Sequence, residues 1–103
     1  MSVLINFAMF PTDKGESASF YVAKILKMID ESGVVYKLDS MGTSIETDNL
    51  DQALDIINKS YKILEEDCKR VYSVITMDIR KGKNHRMTQK IKSIEDKIGQ
   101  INH

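Results

Sequence analysis

The sequence predicts an α+β protein, a ferredoxin-like βαββαβ sandwich with an additional C-terminal helix. Three observations carry that reading. Apolar residues switch between a period of two and a period near 3.6 in the order strand, helix, strand, strand, helix, strand. A further stripe at helical spacing follows the last strand pattern. The chain has 103 residues, enough for one modest core and read here as a single domain over residues 1–103.

The first strand, Val3 to Phe10, is rich in β-branched and aromatic residues and ends at Pro11, which has no N–H to give a ladder. Its alternate residues Val3, Ile5, Phe7 and Met9 are expected to face the helices. Pro11 to Gly15 reads as a turn. Glu16 and Ser17 open an amphipathic helix with Phe20, Val22, Ile25, Leu26 and Ile29 near helical spacing. Ser32-Gly33 is its stop signal, since glycine takes the left-handed conformation that closes a helix.

Val34 to Leu38 is the second strand, Ser40-Met41-Gly42 a turn, and Thr43 to Thr47 a short third strand. Asp48 or Asn49 caps the next helix. Its apolar residues Leu50, Ala53, Leu54, Ile57, Tyr61 and Leu64 form a 3.6-period stripe. Val71 to Ile79 is the fourth strand, with Val71, Ile75, Met77 and Ile79 on one parity. Met87, Ile91, Ile94 and Ile98 mark the added helix. Right-handed crossovers are expected to set the first and fourth strands in the middle of the sheet.

Composition narrows the function classes. Fifteen Lys and Arg balance fifteen Asp and Glu, so no global field favours nucleic acid or an anionic membrane. No apolar run approaches the roughly 18 residues of a transmembrane helix. The apolar opening, Met1 to Phe10, has neither a basic leader nor a small-residue cleavage site. One cysteine, Cys68, can form no internal disulfide or CxxC pair, which suits a reducing cytoplasm. A soluble cytoplasmic protein is expected.

The second face of the sheet is more informative. It carries Leu4, Asn6, Ala8 and Phe10 from the first strand and Tyr72, Val74, Thr76, Asp78 and Arg80 from the fourth. A water-facing sheet alternates cleanly to polar residues; this one is half apolar. Such a patch marks association or a binding site, so homo-oligomerisation through this face is expected, with polar groups gathered at one end.

Three stretches carry groups suited to chemistry. Tyr36 to Glu46 combines Gly42, which permits close approach of backbone, with the hydroxyls of Thr43 and Ser44 and the Glu46 carboxylate. It reads either as a polar-ligand site or as a strand turn whose hydroxyls satisfy backbone groups. Asp78 and Arg80 share a parity facing away from the helices, and serve either as an interface ion pair or as ligand contacts. Arg80 to Arg86, with Lys81, Lys83 and His85, precedes a helix and reads as an anion site or a solvated loop. Residues 80–103 hold seven Lys and Arg against two acids, whereas the first 79 hold eight against thirteen.

His85 and His103 have no ligand-spaced partner, so no metal is expected. Cys68 has no adjacent base and reads as a packing residue. No nucleophile–base pair and no Gly-rich phosphate loop is present. Neither catalysis nor a cofactor is expected. The basic stretch has no interleaved aromatics, which argues further against nucleic acid.

Several of these pieces, taken in order, resemble the small YkoF-like thiamine-binding proteins. They are the first strand ending at Pro11, Gly33-Val34-Val35-Tyr36, Met41-Gly42-Thr43-Ser44-Ile45-Glu46, Lys69-Arg70-Val71, Asp78-Ile79-Arg80 and Lys90-Ile91-Lys92-Ser93-Ile94-Glu95. Thr47 departs from the pattern, in which glycine commonly follows the Ile-Glu pair. The resemblance implies a ferredoxin-like subunit, sheet-to-sheet dimers that pair into a tetramer, and binding of thiamine or its pyrimidine part without catalysis. On that footing Thr43 and Glu46 are the motif residues at the ligand, with Ser44, Tyr36, Asn6 and Asp78 added from side-chain chemistry.

Two other functions fit the fold. One is a regulatory module that binds an anionic metabolite through Arg80, Lys83 and Arg86. The other is a small hydrolase of the acylphosphatase kind, which needs an Arg in the loop after the first strand. That loop is Pro11-Thr12-Asp13-Lys14-Gly15, so this reading ranks last.

Overall fold

The computed structural model describes residues 1–82 and Met87. Over these residues the chain forms β1 (Ser2–Pro11), a short 3-10 turn (Gly15–Ser17), α1 (Ala18–Ser32), β2 (Val35–Asp39), β3 (Gly42–Thr47), α2 (Leu50–Glu65) and β4 (Val71–Arg80). The four strands make one antiparallel sheet in the order β2-β3-β1-β4. With two helices on one face this is the ferredoxin-like α+β fold. The final helix expected around Met87 to Ile98 lies, apart from Met87, outside the described residues.

The strand order corrects one expectation. β1 and β3 are the middle strands, and β4 is an edge. Each helical crossover skips one strand position: β1 and β2 flank the slot that β3 fills, and β3 and β4 flank the slot that β1 fills. Right-handedness fixes the side on which each helix lies but not the interleaving of the two units.

The termini of the helices follow local chemistry. Gly33 takes φ 81° at the end of α1, a conformation that costs glycine nothing. Asn49 is extended, and its side chain accepts from the Gln52 backbone N–H at 2.9 Å, satisfying an otherwise orphaned donor at the start of α2. The Asp13 carboxylate accepts from the Lys69 backbone N–H at 2.8 Å, while the Thr12 N–H donates to the Arg70 carbonyl. These bonds tie the loop after β1 to the loop before β4. The Lys69 N–H holds the Asp13 carboxyl below its ordinary pKa.

Val3, Ile5, Phe7 and Met9 are buried as their parity requires, against Ile25 and Ile29 of α1 and Ala53, Ile56 and Leu64 of α2, with Ile45 beside them. Two helix stripes are rotated from expectation. In α1 Phe20 is 59% exposed, and Tyr21 and Met28 flank the core instead. In α2 Leu54 and Tyr61 are exposed, and the buried row is Ala53, Ile56, Ser60 and Leu64. Ser60 is tolerated there because its hydroxyl donates to the Ile56 carbonyl at 2.7 Å. Cys68 is buried in the same cluster, and desolvation pushes its thiol pKa up.

Candidate functional site

The register of the sheet decides which predicted residues meet. Lys37 of β2, Ser44 of β3, Asn6 of β1 and Thr76 of β4 lie in one row across the strands. Val35, Glu46, Leu4 and Asp78 form the next row. Paired residues point to the same side, and Asn6 and Leu4 alternate with the buried Ile5. Both rows therefore belong to the face away from α1 and α2.

Several contacts fix these groups. The Asn6 amide donates to the Ser44 hydroxyl at 3.0 Å, and the Thr76 hydroxyl donates to the Asn6 carbonyl at 3.4 Å. The Ser2 hydroxyl donates to Glu46 Oε2 at 2.6 Å, and the Met87 backbone N–H donates to Glu46 Oε1 at 3.3 Å. Glu46 is thus oriented from both of its oxygens. Around the centre of this arrangement is a shallow hollow of about 260 Å³, lined by Leu4, Ile5, Asn6, Ser44, Thr76, Met77 and Asp78.

Gly42 explains how Asn6 comes to lie there. A Cβ at position 42 would stand 2.9 Å from the Phe7 carbonyl oxygen and 3.1 Å from Asn6 Oδ1, too close for any side chain. The hairpin before it is closed by Asp39, whose Oδ1 accepts from the N–H groups of Met41 and Gly42 at 2.8 and 3.1 Å. Thr47, where the family pattern has glycine, sits in ordinary strand with its hydroxyl donating to the Asn49 carbonyl at 2.8 Å.

The six predicted ligand contacts divide between the two faces. Asn6, Ser44, Glu46 and Asp78 share the open face. Thr43 pairs with Phe7 and Leu38, is buried, and lines an apolar cavity of about 290 Å³ with Phe7, Met9, Ile25 and Leu26. Tyr36 pairs with Ile45, so it too faces the helices. Its hydroxyl donates to Asp30 Oδ1 at 2.8 Å, and that carboxylate holds the phenol above its ordinary pKa. Arg80 is exposed opposite Ser2. Lys83 and Arg86 lie outside the described residues.

Three residues of this face were not among the predicted ligand contacts. Ser2 and Thr76 share the parity of Asn6 and Asp78, and that alternation alone places them. Lys37 requires the hairpin register, which sequence does not supply. The opposite end of the same face is apolar: Ala8 pairs with Val74 and Phe10 with Tyr72, whose rings stand 5.8 Å apart at 50°. Among the described residues no group of three or more His, Cys, Asp or Glu gathers where it could hold a metal ion. No helix among them is long and apolar enough to cross a membrane.

A ferredoxin-like sheet with helices on one side and a polar hollow on the other defines the class. The family model described as thiamine-binding protein matches residues 5–95, and the chain belongs to that family. It is 30% identical over 95 residues to a UPF0045 protein of Mycobacterium bovis, spanning 92% of this chain and 93% of that one. A UPF0045 protein of Methanocaldococcus jannaschii is 30% identical over 92 residues, 89% of this chain and 91% of its own. The crystal structure of a hypothetical protein from M. jannaschii superposes with a TM-score of 0.78 at 29% identity, covering 92% and 97% of the two chains. A putative thiamine biosynthesis/salvage protein of Thermotoga maritima shares the fold, with a TM-score of 0.76 at 16% identity over 91% and 99%.

Proposed function

We propose that this protein binds thiamine or its pyrimidine moiety without catalysis, as a homo-oligomeric carrier or sensor in a reducing, cytoplasmic setting. The observation that carries the reading is the convergence of Asn6, Ser44 and Asp78 on one hollow of the open face, with Glu46 across Leu4 from Asp78 in the same row. Thiamine joins a cationic thiazolium to an aminopyrimidine, so it asks for carboxylates, a neutral amide or hydroxyl, and a flat apolar surface. Asp78 answers the amino group or the positive charge. Asn6 and Ser44 supply neutral hydrogen bonds, and Glu46 adds a second carboxylate at the margin.

In this reading the apolar end of the face, with Ala8, Phe10, Tyr72 and Val74, packs against another copy and roofs the hollow. A shallow site exposed to water holds a small cation weakly, because solvent screens the charge; a second sheet laid over it lowers the local dielectric. Thr43 and Tyr36 then act through the helix layer rather than at the ligand. The competing reading, an anionic metabolite held by Arg80, Lys83 and Arg86, is the other outcome of the same experiment. Calorimetric titration of thiamine, its pyrimidine fragment and thiamine diphosphate separates them. Binding of the first two supports the proposal. Tight binding of the diphosphate alone favours the anion site, and the absence of heat with all three overturns the ligand assignment.

A further inference from the structure

The end of β4 carries two opposite charges on one face. Asp78 pairs with Leu4 and Arg80 pairs with Ser2, so both side chains belong to the open side of the sheet. Two residues of strand separate them by about 6.8 Å along the backbone. They do not bridge each other, and Arg80 enters no ion pair among the described residues.

The surroundings of Arg80 leave its guanidinium open to a ligand. It is exposed. Across the ladder stands Ser2, which is buried and whose hydroxyl is given to Glu46 Oε2. Glu46 and Asp78 share the neighbouring row, on either side of Leu4. Negative charge thus gathers in one row, and positive charge stands one row beyond it. Asp78 walls the hollow and Arg80 lies outside it. A ligand with a single charge meets half of that pattern. A zwitterion meets both halves, its cation seated in the hollow and its anion projecting toward the end of the sheet.

We infer that the ligand of this face is a phosphate ester of thiamine, and that Arg80 reads the phosphate. This rests on the reading of the hollow as a thiamine site and adds one group to its ligand. Thiamine carries its cation on the thiazolium and a hydroxyethyl arm on the same ring. Esterified, that arm holds an anion a short, flexible distance from the cation. With the thiazolium at Asp78, the phosphate reaches along β4 to Arg80. The planar guanidinium fork matches two phosphate oxygens. One guanidinium suits one phosphate, so the monoester is the expected form.

The test compares thiamine with thiamine monophosphate by calorimetry on the full-length protein, Arg80→Ala and Arg80→Lys. The parent is expected to bind the monophosphate about fivefold tighter than thiamine, the gain from one partly exposed charged pair. Arg80→Ala is expected to erase that preference. Arg80→Lys keeps the charge without the fork and should retain only part of it. Matched thermal melts establish that both variants fold. Inorganic phosphate at equal concentration is expected to give no heat, since the preference needs both charges on one molecule. Phosphate heat that persists in Arg80→Ala overturns the assignment, because another cation then holds the anion. Equal affinity of the parent for the two ligands, or a preference that survives Arg80→Ala, overturns it and leaves the thiamine reading standing. No heat with either ligand removes both.

Discussion

The two faces of β1 divide the work of the protein. Val3, Ile5, Phe7 and Met9 are buried under the helices, while Leu4, Asn6, Ala8 and Phe10 alternate with them on a face that is only partly covered. Burying each large apolar side chain on the first face contributes roughly 1.5–3 kcal/mol, so that face is committed to stability. The second face holds hydroxyls, an amide and two carboxylates at one end and aromatic rings at the other. Fewer large apolar side chains are buried there, and it is the face on which the proposed binding rests.

Substitutions on the two faces should therefore separate stability from binding. The largest stability loss is expected for Ile45→Ala, which empties a fully buried site beside Ile5. It should cost about 2–5 kcal/mol in a denaturant melt. A loss below about 1 kcal/mol would mean that the helix-side packing is looser than its burial implies.

Gly42→Ala is next, because its Cβ meets the Phe7 carbonyl, which is backbone and cannot swing aside. A loss of about 1–3 kcal/mol is expected. Thiamine affinity should fall as well, because the same Cβ displaces Asn6. This substitution links the faces, and unchanged affinity at reduced stability would unlink them.

Glu46→Gln retains an oxygen that can accept the Ser2 hydroxyl, gives up the acceptor for the Met87 N–H and removes the charge. Its melt should stay within about 1 kcal/mol of the parent, while thiamine binding weakens by about tenfold. Equal affinity would remove the Glu46 carboxylate from the site. Tyr36→Phe, whose hydroxyl meets Asp30 on the helix side, should leave affinity unchanged.

A smaller effect concerns pH. The Asp13 carboxyl titrates below its ordinary value because the Lys69 N–H stabilises its anion. A depressed folded pKa adds stability above the unfolded pKa, and that stability is lost as pH falls through the folded value. Asp13→Ala should melt a few degrees lower at neutral pH, and the gap should close as acid protonates the parent. A gap constant from neutral to acid pH would show that the loop bond does not depend on the charge.

Much of the fold was legible because local chemistry dictates it. Pro11 ends β1, Gly33 ends α1 and Asn49 opens α2 within a residue or two of expectation. The interleaving of strands was not legible, since each crossover is consistent with a neighbouring or a skipped position. In α2 the stripe was misphased because Leu54 and Tyr61 lie at its margin, while Ser60, polar and buried, gave no apolar signal. The same reasons govern the site. Parity along single strands placed Asn6 and Asp78 correctly together. Tyr36 and Thr43 lie on the helix side, a placement that sequence could not supply because parity cannot be carried around the hairpin without its register.

The central claim is that the open face between Asn6 and Asp78 is a thiamine site. Calorimetric titration of thiamine into the parent and into Asp78→Asn, with matched thermal melts, tests it most directly. The account predicts binding near micromolar or tighter for the parent, about −8 kcal/mol, and at least about tenfold weaker binding for the variant at an equal melting temperature. Equal affinity in the two proteins, or no heat with the parent, would contradict it.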